Sequence, residues 1–325
     1  MSHGGESTSV VVKALVANLG IAAAKFVVAF VSRSSAMLSE AVHSFADAGN
    51  QLLLLIGMRR SRRREDHIHE FGYALERYFW AFIVAVSLFT MGATFSMYEG
   101  VEKILHRHAP DALGPATWAY VVLALSIALE LFSLHAALKE FRLIRAGRSL
   151  RQTIDEARDA VIIVVLFEDT AALVGLFAAL AGVGLSHLTG NALWDGVASI
   201  VVGVTLAAVA VFLARKTKRL LIGQSVTPAD RERIVDIIRS SPGVRELIHL
   251  RTMHLGPDEV LMGMKIVVDN HVPAKDLAQY VDTMEARLRA ELPQLKRIYV
   301  ETGIPVDPEP RLTAPVAVPA APPGE

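Results

Sequence analysis

Residues 36–58 read AMLSEAVHSFADAGNQLLLLIGM. The run is long enough to cross a bilayer, yet it carries Glu40, His43, Asp47, Asn50 and Gln51. On a helix, side chains three and four positions apart share a face, so these residues form one polar stripe. A charged side chain at mid-bilayer costs about 3 kcal/mol even on a lenient insertion scale. Such a stripe persists only where it faces a cavity, a neighbouring helix or an ion. Hydrogen bonding between helices would satisfy it as packing glue. An imidazole and a carboxylate four positions apart are also metal-ligand types at metal-ligand spacing, and that favours an ion.

The rest of the chain sets the same scene. Of its 325 residues 52% are hydrophobic and 20% charged, with a mean hydropathy of +0.39, too apolar for an ordinary soluble domain. There is no cysteine, which excludes disulfides and thiolate metal sites and leaves His, Asp and Glu as ligands. Six windows approach the roughly 20 apolar residues that a spanning helix needs: Val10 to Val31, Ala36 to Met58, Arg77 to Met97, Ala116 to Leu138, Ala160 to Leu185 and Leu193 to Leu213. No secretory cleavage pattern follows the first window, so it reads as a retained span.

Charge gives the orientation. Arg59, Arg60, Arg62, Arg63 and Arg64 follow the second window; Lys139, Arg142, Arg145, Arg148 and Arg151 follow the fourth; Arg215, Lys216, Lys218 and Arg219 close the sixth. The opposite loops carry little beyond Arg33, Lys103 and Arg107. The positive-inside rule then places both termini in the cytoplasm, with the plasma (inner) membrane expected if the source is bacterial. Zero net charge gives no reason to expect a nucleic-acid partner.

After Gly223 the pattern changes. TPADRERIVDIIRSSPG has Thr227 as N-cap, Pro228 at the first helical position and a Pro242-Gly243 stop. Two strands, LIHLRTMHL and VLMGMKIVV, flank the turn at Gly256-Pro257-Asp258, and Val260, Met262, Met264, Ile266 and Val268 share one face. A second helix, Ala274 to Leu292, precedes a last strand, RIYVE. The expected organisation is a flexible segment 1–9, a six-helix transmembrane domain 10–223, a small α+β domain of order αββαβ over 224–303, and a Pro/Ala-rich disordered tail 304–325. A core of about 80 residues is marginal on its own, so oligomerisation is a natural remedy.

The fifth window repeats the anomaly of the second. VVLFEDTAALVGL sets Glu168 and Asp169 in an apolar run with no cation nearby in sequence. Adjacent buried carboxylates repel each other unless a proton or a metal neutralises them. With His43 and Asp47 they make one imidazole and three carboxylates on two helices, a set suited to Zn(II), Fe(II), Co(II) or Mn(II) and poor for Na(I) or K(I).

At these residues the sequence resembles the cation diffusion facilitator family, proton-coupled exporters of zinc and related metals. SSAMLSEAVHSFADAGNQ resembles the family's second helix, HEFGYALERYFWAF the start of the third, DGVASIVVGVTLAAVAVFLA the sixth, and GVRELIHLRTMHLGPDEV the cytoplasmic domain. The resemblance implies six helices, a cytoplasmic αββαβ domain that dimerises, export of a divalent metal in exchange for protons, and no cofactor. It places the family's HxxxD motif on His43 and Asp47; Glu40 and Asn50, on the same face of the helix, are expected to support them. In the fifth helix the motif ends at Asp169, but its first position is Val165, as in the branch whose fifth helix carries Glu-Asp. Glu168 shares that face and is long enough to reach the space. An added oxygen ligand moves preference somewhat towards Mn(II), Fe(II) or Co(II), with zinc still the first expectation.

Further sites are weaker. Asp66 and His69 match positions that bind an additional zinc in some relatives, but the usual third ligand is Tyr73 here; a solvated polar loop is the plainer reading. His249, His254, His271 and Glu301 in the terminal domain are candidates for metal sensing, or ordinary surface groups. Glu130 in the fourth window is expected to pair with Lys25, the other intramembrane charge. His106 and His108 stand on an outer loop as a weak exit station or nothing. Other classes fit less well. No HExxH motif supports a membrane metalloprotease; a cation channel would need no proton-exchange group, which a His beside a carboxylate provides, and a protein that only senses metal would not account for polar stripes on two helices.

Overall fold

The computed structural model describes residues 3–32, 35–106, 116–145, 147–191, 193–269 and 272–303. Side chains are described for these except at 3–7, 28–29, 31–32, 35–40, 42–43, 106 and 116–119. The chain divides into two compact units, Met1–Ile222 and Gly223–Glu325.

The first unit is helical. Its long elements are α1 (His3–Ser32), α2 (Ser35–Arg60), α3 (Glu76–Ser87) continued through a π-turn (Leu88–Ala93) into α4 (Thr94–His106), α5 (Ala116–Arg145), α7 (Ala160–Thr189) and α8 (Leu193–Ile222), with a short α6 (Leu150–Glu156) between α5 and α7. Among the described residues, Thr8–Val27, Glu76–Leu105, Tyr120–Arg145, Ala160–Thr189 and Leu193–Ile222 are long and apolar enough to cross a membrane. The second window is less apolar than the other five, but as α2 it runs 26 residues, about 39 Å, and packs between α1 and α3.

Several helices run past their apolar windows. α5 continues to Arg145 and α8 to Ile222, taking up Arg142, Arg145, Lys218 and Arg219. Cations suit the negative end of a helix dipole, so polarity alone does not end these helices. The unexpected α6 has a local cause: Ser149 and Gln152 form a reciprocal capping box. In the third span, Thr94 Oγ1 donates to Phe89 O at 3.1 Å, five residues back, beside the widened turn.

Side-chain contacts collect the basic loops at one end of the bundle. Arg62 donates to Thr8 at the start of α1, Arg60 pairs with Glu76 at the start of α3, and Lys216 near the end of α8 donates to Asp155 O. Arg77 Nη2 meets Asp159 Oδ2 at 2.6 Å, and Asp159 also caps α7 by accepting from Val161 N. This is the arrangement that the charge pattern predicts for a single membrane face. Towards the other end α4 and α8 approach closely: a Cβ on Gly196 would stand 2.7 Å from Ile104 and 3.0 Å from the Gly100 carbonyl. There Lys103 pairs with Glu99 and Asp195, each at 2.9 Å.

The second unit contains α9 (Pro228–Arg239), β1 (Val244–Gly256), β2 (Glu259–Val268), α10 (Ala274–Glu291) and β3 (Leu295–Gly303), the expected αββαβ order. Thr227 caps α9 from its side chain, with Pro228 at the first position. β1 and β2 form an antiparallel hairpin, and β3 returns parallel to β2 after α10. Val260, Met262, Met264 and Ile266 alternate into a core with Ile234, Ile238, Met284 and Leu288. Residues 304–325, expected as a tail, lie outside the described residues.

Candidate functional site

The polar side chains of the first unit gather on α1, α2, α5 and α7. α7 is the most buried of the apolar spans, at 67% of its window, and Glu168 and Asp169 sit inside it at 5% and 1% exposure. Both oxygens of Glu168 are held from α2: Asn50 Nδ2 donates to Oε1 and Gln51 Nε2 to Oε2, each at 2.9 Å. Asp169 turns to α5, where Ser133 Oγ donates to its Oδ2 at 2.7 Å. The half-buried Asp47 lies one turn from Asn50 on α2, within electrostatic reach of both α7 acids. The acids expected from the two helices are therefore brought together with the amides of α2. Val165 is fully buried in the hydrophobic core, so the first motif position on α7 offers no ligand.

His43 lies on α2, but its side chain and that of Glu40 are outside the described residues. Among the described residues, no three His, Asp or Glu side chains stand within reach of one metal ion. In this conformation the buried acids of α7 have their hydrogen bonds made internally: amides on Glu168, a hydroxyl on Asp169. Buried carboxylates need such donors or a cation.

Sequence reasoning missed the contribution of α5. Ser126, Glu130 and Ser133 are buried at 2%, 6% and 1% exposure and fall at i, i+4 and i+7, a polar stripe as regular as that of α2. Serine blends into an apolar membrane run, so the stripe is visible only when its spacing is counted. The expected Lys25–Glu130 ion pair is not formed. Lys25 Nζ donates to Ser44 Oγ of α2 at 2.9 Å, and Glu130 feels Lys25 only at longer range.

The loop after α2 is closed on itself. Asp66 Oδ1 accepts from the backbone N–H groups of Ile68 and His69, and Oδ2 accepts from the Tyr73 hydroxyl at 2.6 Å. These bonds, Tyr73 first, hold the Asp66 carboxyl down to about 2, and Asp66 in turn raises the Tyr73 hydroxyl above its usual value. His69 Nδ1 lies 3.7 Å from Asp66 Oδ1 and its ring packs on Tyr73 with centroids 4.4 Å apart. A metal here would have to displace the tyrosine.

In the second unit, His249, Lys265 and Glu301 are successive partners across the three strands. Lys265 Nζ meets Glu301 Oε1 at 2.8 Å, and this ammonium, first by hydrogen bond and then by charge, holds the Glu301 carboxyl below its ordinary range. A cation between His249 and Glu301 would face that lysine. His254 is a core histidine, 2% exposed, with Nδ1 3.3 Å from Gly256 O. His271, His108 and the side chain of His106 lie outside the described residues.

Residues 11–222 match the cation efflux transmembrane domain, and residues 226–302 match the cytoplasmic domain of cation efflux proteins. "Proton-coupled zinc antiporter SLC30A9, mitochondrial" of Xenopus laevis is 37% identical over 251 residues, 77% of this chain and 44% of that one. "Metal tolerance protein C4" of Arabidopsis thaliana is 32% identical over 274 residues, 82% of this chain and 59% of that one. "Magnetosome protein MamB" of Magnetospira sp. is 25% identical over 286 residues, 87% of this chain and 90% of that one. The chain spans about half the length of the first two of these relatives.

Proposed function

Since the chain belongs to the cation efflux family, an integral-membrane family of transporters and not of enzymes, we propose that it carries a divalent transition-metal cation, zinc foremost, across a lipid bilayer in exchange for protons. Mn(II), Fe(II), Co(II) and Cd(II) are the alternative cargoes. The observation that carries this reading is the pair of buried acids on α7, Glu168 and Asp169, turned towards the polar stripe of α2 and the buried serine of α5. Apolar packing has no use for such a set, whereas a dehydrated cation has. Relatives named as proton-coupled zinc antiporters support zinc and protons as the exchanged species.

In this reading His43, Asp47 and Asp169 bind the ion, with Glu168 joining once it leaves its amides. Metal and protons compete for the same nitrogen and oxygen atoms. A site that opens to the cytoplasm takes metal and releases protons; opened to the far side, which is more acidic, it takes protons and releases metal. Alternating access then couples the two gradients. Both termini are cytoplasmic, residues 10–223 form the transport domain, and residues 224–303 form the cytoplasmic domain through which two copies associate. The metal leaves the cytoplasm for the outside or for an organelle. Metal is the cargo here, and no cofactor takes part.

The test is flux in sealed vesicles with an internal pH dye. Zinc should accumulate against an opposing proton gradient, with protons moving the other way. Accumulation that continues unaltered after a protonophore collapses the gradient rules out proton exchange. Flux that only ever follows the zinc gradient identifies a channel, and no flux at all identifies a sensor.

A further inference from the structure

Glu130 of α5 has no role in this scheme, and its surroundings call for one. It lies within the span Tyr120–Arg145, is 6% exposed, and its buried Oε2 accepts no hydrogen bond. The other deeply buried acids of the unit differ: Glu168 is held at both oxygens and Asp169 at one. Nor is the neighbourhood of Glu130 compensated. Asp169 acts on it most strongly, then Asp47 and Glu168, all of its own sign, and Lys25 least. A buried acceptor without a donor is costly, and here the neighbouring acids add to the cost. A divalent cation is the species that would satisfy Glu130 and the three other acids together.

Position on α5 supports the same conclusion. Ser126, Glu130 and Ser133 share one buried face, and Ser133, one turn from Glu130, already bonds Asp169. On α7 Val165 offers no ligand atom and both oxygens of Glu168 are engaged by α2, so a carboxylate from another helix is an available further ligand.

We propose that Glu130 belongs to the cation site, its carboxylate meeting the transported divalent ion from α5 alongside Asp47 of α2 and Asp169 of α7. The proposal rests on the transport reading above and adds a third helix to the site. In the present conformation the acids are not yet within reach of one ion, so ion binding itself draws α5 towards α2 and α7. An extra oxygen ligand hardens the site, which makes Glu130 a determinant of preference between zinc and Mn(II).

The experiment is calorimetric titration of the whole 325-residue chain in lipid nanodiscs with ZnCl2 and, separately, MnCl2. Glu130→Gln should weaken zinc binding by at least about 10- to 100-fold, the range typical for loss of a group that only supports a metal ligand. It should weaken Mn(II) binding more, because manganese depends more on oxygen ligands. Glu130→Asp, which keeps the charge, should recover most of the affinity. Unchanged affinities in Glu130→Gln, or an equal loss for both metals that Glu130→Asp does not restore, overturn the proposal. If Glu130→Gln does not fold, Glu130→Asp decides: a changed zinc-to-manganese ratio supports the assignment and an unchanged ratio rejects it. Asp169→Asn in parallel separates the levels. If it too binds both metals normally, the transport site itself is misplaced; if it alone loses binding, only Glu130 is.

Discussion

Asn50 donates its Nδ2 hydrogen to Oε1 of Glu168 across 2.9 Å, tying the middle of α2 to the middle of α7. Gln51 holds the other oxygen at the same distance. The two amides give this buried carboxylate a stable resting state inside the protein, and a metal ion has to compete with them. Removing one amide with Asn50→Ala leaves a carboxylate oxygen buried and unpaired, so the unfolding free energy should fall by about 1–3 kcal/mol. The check is the unfolding transition in detergent; a midpoint equal to that of the unaltered protein would show that the bond contributes nothing.

Asp47 and Asp169 are the charged ligands expected in common with the family. Asp169→Ala and Asp47→Ala should each reduce vesicle zinc uptake to background. The folded protein should survive both, because relief of buried charge offsets the bond that Ser133 loses, itself worth about 1.5–3 kcal/mol. Full uptake by either variant, measured at matched reconstitution levels, would remove that residue from the site.

Val165 and Glu168 bear on metal choice. Val165→His supplies a softer nitrogen ligand at the empty motif position and should shift preference towards zinc over Mn(II). Because Val165 is fully buried in the core, the larger ring should also cost about 1–3 kcal/mol of stability. Glu168→Gln should weaken metal binding while keeping one contact with α2: its single amide oxygen can accept from Asn50 or Gln51, and its NH2 group meets the other amide as donor to donor unless that amide turns round. An unaltered metal ranking in the first variant together with a silent second one would show that Glu168 is not a ligand.

The Asp66 loop has a pH dependence of known sign. Its carboxyl is lowered from 3.8 to about 2, so its contribution to folding is present above about pH 4 and lost as pH falls through about 2. Tyr73→Phe removes the largest cause, and the Asp66 titration, followed by carbon NMR of its labelled carboxyl, should move back towards its ordinary value. Tyr73→His should instead complete a three-ligand set with Asp66 and His69 and bind Co(II) with a visible d–d spectrum. A Phe variant that titrates as the unaltered protein does, or a His variant without cobalt colour, would contradict the geometry.

Most of the fold was legible because its signals are local. Apolar length marked the spans, arginines and lysines marked one end of the bundle, and Thr227, Pro228 and the alternation from Val260 to Ile266 marked the terminal domain. Each depends on residues within a few turns of one another, as does the HxxxD spacing that picked out His43 and Asp47. Helix ends were less legible, because Arg145 and Arg219 extend helices that hydropathy alone would stop.

Partnership was not local, and only the tertiary structure decided it. Lys25 and Glu130 looked like a pair because both are charges in apolar runs, yet Lys25 meets Ser44 and Glu130 is left among acids. Glu168 bonds residues 117 and 118 positions away, and Asp169 one that is 36 away. The chain's periodicity states which face of a helix is polar. Which neighbouring face it meets, and so whether a buried charge finds a donor, a cation or neither, is set by how α1, α2, α5 and α7 pack against one another.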